Sequence, residues 1–358
     1  VWEVEPRPIV TYGGPDAAST YDLTNTFEIA LLSGDRFAAL PIGRGVLIFG
    51  ADGQGLHAFG KRGQGPGEFL DGRMSGVPGD TLVVIDRGNA RITWLDPSRG
   101  VVRTESTVGR LGASVNRPIG QLPGGAIVVV SAVPVRPGTS SEREIRKAVA
   151  LTLLSRGDSG RVIARLPDLQ LRMIEVTSGG KKAKVQDLLR FGLQARVAVW
   201  DTLIASGDGA IYAIDLRDRT GRTIATLRVD TPRRPVSKAM RDAAIRAELA
   251  RLGPRGSTTP APAEQQRIVR SAPYADSLPA FGDLLVSSDG LLWALDARAP
   301  GDPGWAATAF RRDGAIVARI RGQGDATPVA FAANRVLLRR VDADDVVSFT
   351  LHQITPRR

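Results

Sequence analysis

The chain has 358 residues, 42% of them hydrophobic, enough for one large all-β domain or two average domains. It has no Cys and only two histidines, His57 and His352; this excludes disulfides, thiolate nucleophiles, Cys-ligated zinc and any His-rich metal site. The net charge is +11, carried mostly by Arg; attraction to an anionic surface and the Arg bias of a GC-rich genome account for it equally well.

The sequence opens on Val1 rather than Met, which points to a removed leader, most simply a secretory signal peptide. "PIVTYGG" (8–14) then reads as an outermost strand. Short β-branched runs between Gly, Asp and Pro turns follow: "RFAALPI" (36–42), "VLIFGADG" (46–53), "TLVVID" (81–86), "RITWLD" (91–96) and "AIVVV" (126–130). The last lies in the longest apolar run, 125–135, which is too short to cross a bilayer. Residues 136–189 are long and basic for one strand set. "AIYAID" (210–215) resumes the pattern. Residues 231–275 interrupt it with the best helix, "VSKAMRDAAIRAELARLG" (236–253). Ser237 suits its N-cap, Gly253 and Pro254 stop it, and Ile245, Leu249 and Leu252 make an apolar seam. A loop-like stretch is expected over 254–266. "LLWALD" (291–296) and "RVLLRRVD" (335–342) complete the strands.

The runs repeat. "GDTLVVIDRGNARITWLD" (79–96) matches "WDTLIASGDGAIYAID" (200–215), and "FGADG" (49–53) matches "FRRDG" (310–314). "RGQGPGEF" (62–69) is echoed by "RGQGDATPVAF" (321–331). Units of several short strands, roughly 45–60 residues each, are the mark of propeller blades. The predicted blades are 26–65, 66–112, 113–170, 190–232, 276–322 and 323–356, in a single domain spanning 1–358. The fold expected is all-β: a six-bladed β-propeller closed by the N-terminal strand, with a helical insertion over 231–275 between blades four and five. Pairing the chain ends would remove a free sheet edge.

"FGKRGQGPGEFLDG" (59–72) is the most distinctive stretch. It lacks the Gly-Lys-[Ser/Thr] ending of a phosphate loop, and a strand rather than a helix is expected after it. Gly63, Gly65, Pro66, Gly67 and Glu68 therefore read as a structural turn between blades, with Glu68 placed to accept loop N–H bonds or to pair with Arg62 or Lys61. With Phe59, Gly60 and Phe69 they form an aromatic-Gly-x-x-Gly-x-Gly-Pro-Gly-Glu-Phe signature. In this signature the chain resembles the secreted bacterial six-bladed β-propellers related to NHL-repeat proteins. "PAFGDLLVSSDGLLWALDAR" (279–298) and "GWAATAFRRDGAIVARI" (304–320) resemble the penultimate blade of the same group. The resemblance implies the fold and a secreted location, periplasmic or extracellular, and assigns no catalytic residue.

Propeller hydrolases and lactonases of similar fold hold a divalent ion in the central channel with Glu, Asn and Asp. Asp71, Asn116, Asp201 and Asp283 stand near expected inner-strand starts, with a spacing that is not diagnostic. No run resembles a calcium loop. His57 falls on an expected outer strand and His352 near the C-terminus, and no Ser has the context of a nucleophile. No catalytic residue, cofactor or metal ligand is therefore assigned.

The remaining signal is charge. Arg143, Arg146, Lys147, Lys181, Lys182, Lys184, Arg233, Arg234 and Lys238, with Arg357 and Arg358, are either solvated or a docking surface. Nucleic acid is disfavoured, because aromatics are not interleaved with these cations. The function expected is a non-catalytic binding or scaffold module, an extrinsic subunit docked on a membrane-protein complex such as a respiratory or photosynthetic one. Its partner would be an acidic or membrane-embedded protein or an anionic membrane surface. The alternative is a hydrolase or lactonase with a channel metal.

Overall fold

The computed structural model describes residues 2–14, 21–77, 79–111, 116–133, 144–178, 181–252, 262–342 and 344–356. Two short N-terminal strands, β1 (Trp2–Val4) and β2 (Val10–Tyr12), precede the first sheet: β3 (Thr26–Leu31), β4 (Phe37–Pro41), β5 (Arg44–Phe49) and β6 (Gly55–Lys61). The second comprises β7 (Gly72–Gly76), β8 (Leu82–Asp86), β9 (Arg91–Asp96) and β10 (Gly100–Ser106). The third has β11 (Asn116–Gln121), β12 (Ile127–Ala132), β13 (Glu144–Leu154), β14 (Arg161–Ser178) and β15 (Lys181–Leu188). The fourth has β16 (Arg196–Trp200), β17 (Leu203–Gly207), β18 (Ala213–Arg217) and β19 (Thr223–Arg228). Helices α1 (Lys238–Leu252) and α2 (Ala263–Ser271) follow. Then come β20 (Asp283–Val286), β21 (Leu292–Leu295), β22 (Gly304–Phe310) and β23 (Ile316–Gln323), and last β24 (Thr327–Ala332), β25 (Arg335–Val341) and β26 (Val347–Pro356).

Each unit is an antiparallel meander, and the protein is mostly β, built from curled sheets in the manner of a propeller. Burial explains why the sequence repeats. The middle strands are apolar at nearly every position, as in β4, β8 and β21, because both of their faces are covered by neighbouring sheets. The last strands, such as β6 and β10, are largely exposed. The first strands, β3, β7, β11, β16, β20 and β24, each touch the next, and β24 touches β3, closing a ring.

Six apolar clusters occupy the gaps between successive strand units. Ile48 and Leu40 of the first sheet meet Leu82 and Val84 of the second. Trp200 and Ile214 of the fourth meet Phe281 and Phe310. The circuit closes where Phe349, Leu351 and Tyr12 pack on Phe37 and Phe49. Tyr12 and Phe37 are stacked there with centroids 4.8 Å apart.

The chain ends pair as expected, with β2 along the outer side of β26 from Val10↔Leu351 to Tyr12↔Phe349. A second closure was not anticipated: β1 lies between β26 and β23, antiparallel to one and parallel to the other, and fuses β20–β23 and β24–β26 into one sheet.

Two expectations need correction. The third sheet does not end at 170. Residues 144–188 form long strands that extend the sheet, because β14 runs past the start of β13 and continues its ladder with β15. Residues 263–266 belong to a second helix, α2, rather than to a loop. α1 is as predicted at its start, where Met240 N–H donates to Ser237 Oγ at 3.2 Å. Its apolar seam is not buried, and no α1 residue is. Gly253 and Pro254 lie outside the described residues.

Candidate functional site

The glycine-rich turn is a backbone crossing from β6 to β7. Phe69 N–H bonds Lys61 O at 2.9 Å, so the chain folds back on itself. Gly60 has φ +76°, and a Cβ there would sit 2.0 Å from Gly67 O. Glu68 accepts from Gly65 N–H at 2.9 Å and lies 3.4 Å from Lys61 Nζ. That Gly65 N–H bond, before the Lys61 charge, holds its carboxyl below the usual range. Of the two cations expected for Glu68, Lys61 is the one in place.

Two further residues hold the turn and were not singled out in the sequence. Arg91 donates to the carbonyls of Gln64, Gly65 and Glu68. Asp86, fully buried, accepts from the N–H groups of Leu70, Asp71 and Gly88 and from Asn89 Nδ2, which also bonds Gly63 O. The signal was there: "IDRGNAR" (85–91) holds an Asp, an Asn and an Arg beside a Gly, a turn that binds another turn. The echo 321–324 sits at the equivalent crossing, from β23 to β24. Gly322 there lies against the Trp305 ring, where a Cβ would meet Cε2 at 2.2 Å.

The ring of first strands encloses a cavity of about 1520 Å³. Its two ends differ in how their charges are paired. At the end where the first strands finish, cations are matched: Arg312 pairs with Asp201, Arg36 with Asp80 at 2.6 Å, and Arg335 with Asp35 at 3.5 Å. At the end where they begin stand Phe27, Glu28, Arg117, Asp283 and Arg339. Glu28 accepts from Met74 N–H at 3.2 Å and lies 3.9 Å from Arg73. Burial nevertheless raises its pKa, against the pull of Arg117, the Met74 N–H and Arg73.

The candidate metal ligands do not assemble. Asp71 is held by Arg87 at 2.7 Å and Arg73 at 3.6 Å. Asn116 accepts from Ser131 Oγ, and Asp283 Oδ1 takes the Leu284 N–H. Asp201 follows the last residue of β16, whereas Asp283 is the first of β20, so the expectation that both stand at strand starts is corrected. Among the described residues no group of three or more His, Asp or Glu is placed to hold a metal ion.

His57 is exposed on the outer strand β6, its ring stacked 5.4 Å from Phe59. His352 is 3% exposed. Its Nδ1 lies 2.8 Å from Glu5 O and its Nε2 3.0 Å from Thr350 Oγ1. A carbonyl only accepts, so Nδ1 carries the proton and Thr350 donates to Nε2. This ring fastens the segment between β1 and β2 to β26.

The basic residues fall into two groups. Several are bound within the protein. Arg146 pairs with Asp208 at 2.9 Å, Arg233 donates to Leu278 O and Ser277 O, and Arg234 pairs with Asp302 at 2.5 Å. Lys238 pairs with Asp242 at 2.6 Å one helical turn on. Three others lie on the arm that β14 and β15 form beyond β13, paired from Leu171↔Leu188 to Ser178↔Lys181. Lys181 is in that ladder, Lys182 lies 2.8 Å from Glu175, and Lys184 is exposed with no ion pair among the described residues. Lys147 is half-buried on β13. Arg143, Arg357 and Arg358 lie outside the described residues.

The arm and the helices are joined by Arg190. It donates to Asp187 of β15 at 3.0 Å and to Glu248 of α1 at 3.0 Å. Its backbone bridges the strand-like segment after α2, with Arg190 N–H to Pro273 O at 2.8 Å and Ala275 N–H to Arg190 O at 2.9 Å.

No protein-family model and no curated protein matches the chain. Solved structures do. A protein described as exported, from Bacteroides fragilis, is similar at 9% identity over 100% of this chain and 96% of its own, with a TM-score of 0.50. The gluconolactonase XC5397 from Xanthomonas campestris is similar at 14% identity over 92% and 86%, with a TM-score of 0.46. Virginiamycin B lyase from Staphylococcus aureus is similar at 8% identity over 98% and 99%, with a TM-score of 0.44. At such identities the likeness concerns the fold alone: a propeller-like arrangement of curled sheets.

Proposed function

We propose that the chain is a six-bladed β-propeller outside the cytoplasm that acts as a non-catalytic binding and scaffold module. Its blade count rests on the closed ring of first strands and the six apolar clusters between units; β1 then joins blades five and six, and α1 and α2 form an insertion between blades four and five. The exported protein of similar fold supports the location. Among the described residues no helix is long and apolar enough to cross a membrane.

The observation that carries the scaffold reading is the joint at Arg190. It makes one platform of the two stretches that depart from the blade pattern. α1 buries none of its residues, and the arm presents Lys182 and Lys184, with Val185 and Leu188 exposed beside them. A helix with half-covered apolar residues beside an arm that carries Lys184 without an ion pair among the described residues fits an acidic protein surface, such as the extramembrane face of a membrane complex.

The test is recovery from native membranes in mild detergent. Wild-type protein should co-purify stoichiometrically with one membrane complex at low salt and be released near 1 M salt, where the Debye length is about 3 Å. Lys182→Glu with Lys184→Glu should abolish recovery. Recovery unaffected by both salt and the double variant would refute the docking. Arg233→Glu and Arg234→Glu are unsuitable probes, because both arginines hold the insertion to 277–302.

A further inference from the structure

We propose that the end of the central cavity where the first strands begin binds a carboxylate carried on a flat apolar body, through Arg339 and Phe27. This site is separate from the platform and does not depend on it.

Arg339 lies on β25 opposite Thr327, the first residue of β24. Its guanidinium carbon is 5.6 Å from the centroid of the Phe27 ring. Its Nε is buried and has no hydrogen-bond partner among the described residues, and no carboxylate pairs with the side chain there. A buried guanidinium donor left unmade costs more than an ordinary hydrogen bond returns. At the opposite end Arg36, Arg312 and Arg335 all face carboxylates, whereas among the described residues none pairs with Arg339. Desolvation alone lowers the pKa of Arg339, consistent with a missing counter-charge, and a guanidinium stays charged regardless.

Phe27 supplies the second half of the site. It is 66% exposed, yet it stands on an inner strand at the cavity wall rather than on the outer surface. An aromatic ring flanked by a guanidinium offers a stacking face next to an anion fork. Arg117 stands across the ring on β11, where its charge acts on Glu28, already held by Met74 N–H and Arg73.

Glu28 decides the charge of the ligand. A dianion such as phosphate would be repelled by the Glu28 carboxylate, next to Phe27 on β3, about twice as strongly as a single carboxylate held by Arg339. The cavity volume of about 1520 Å³ admits a drug-sized body.

Benzoate is the probe, titrated calorimetrically into the full chain at low salt, with acetate and benzamide as comparators. Benzoate should bind at one site, and acetate and benzamide at least about tenfold more weakly. Phe27→Ala and Arg339→Gln should each weaken benzoate by about tenfold or more. Arg312→Gln, at the far end, should leave it unchanged. Because Phe27 is exposed, its removal leaves the core intact, so that variant decides even if Arg339→Gln fails to fold. Absence of benzoate binding, benzamide or acetate binding equally well, or full affinity in Phe27→Ala would overturn the proposal.

Discussion

Arg190 and Glu248 are 58 residues apart in the chain and 3.0 Å apart in space, and Arg190 holds Asp187 at the same distance with its other amino group. One guanidinium thus ties the base of the β14–β15 arm to the middle of α1. Both groups are partly shielded from water, at 21% and 35% side-chain exposure, so the pair is worth more than a surface ion pair and less than a buried one. A double-mutant cycle with Arg190→Ala and Glu248→Ala should give a coupling of about 0.5–1 kcal/mol in denaturant unfolding. A coupling near zero would mean that arm and helices move independently and would remove the platform.

The glycine turn offers a matched pair. Gly60 and Gly43 share φ +76°, but a Cβ on Gly60 would meet Gly67 O at 2.0 Å, while nothing lies within 4 Å of one on Gly43. Gly43→Ala should cost about 1 kcal/mol, the left-handed penalty alone. Gly60→Ala should cost at least about 2 kcal/mol, since the crossing must also open. Equal losses in thermal melts would show that conformation, not close approach, explains the signature glycine.

Arg91 carries the turn from the neighbouring sheet. Its donors reach three carbonyls that no strand can satisfy. Arg91→Ala should destabilise by about 1.5–3 kcal/mol, by exposing those carbonyls as well as removing the bonds. Arg91→Lys should recover little of it, because one ammonium cannot span three acceptors. Full rescue by Lys would show that charge alone matters there.

His352 makes the chain closure sensitive to acid. Its pKa is lowered, first by burial and also by Arg340, while the bond to Glu5 O works the other way. The folded state therefore binds its proton less readily than the unfolded chain, and stability must rise with pH across the interval between the two pKa values. This contribution is intact above about pH 6.5, the unfolded value, and is lost as pH falls toward the lower folded one, with a slope of at most about 1.4 kcal/mol per pH unit. Urea unfolding at pH 8 and pH 5 should show the loss in wild type, and His352→Gln should lack that part of it. Identical slopes in the two proteins would assign the acid sensitivity to other groups.

The repeats were readable because propeller-like units reuse one local solution. Asp80-Thr81-Leu82 and Asp201-Thr202-Leu203 each begin a second strand, and both aspartates take positive φ, +61° and +54°. A tight turn demands the same residue type wherever it recurs, so the pattern shows in the chain. α1 was readable for the same reason, from Ser237 and its bond to Met240 N–H. β1 was not, since three residues joining two distant strands carry no periodicity.

Local chemistry, then, already settled the β class, the turn at 60–69, the pairing of β2 with the last strand and the exclusion of thiol and histidine-rich sites. Burial pattern, glycine placement and composition act over a few residues and need no fold to be read. Which charges are left without a partner depends on neighbours brought together from 23 to 111 residues away, as Arg91 is to Glu68 and Arg312 to Asp201. For that reason Arg233 and Arg234 looked free in the chain and are bound, while Arg339, unremarkable in "RVLLRRVD", stands at the mouth of the cavity without a counter-ion among the described residues.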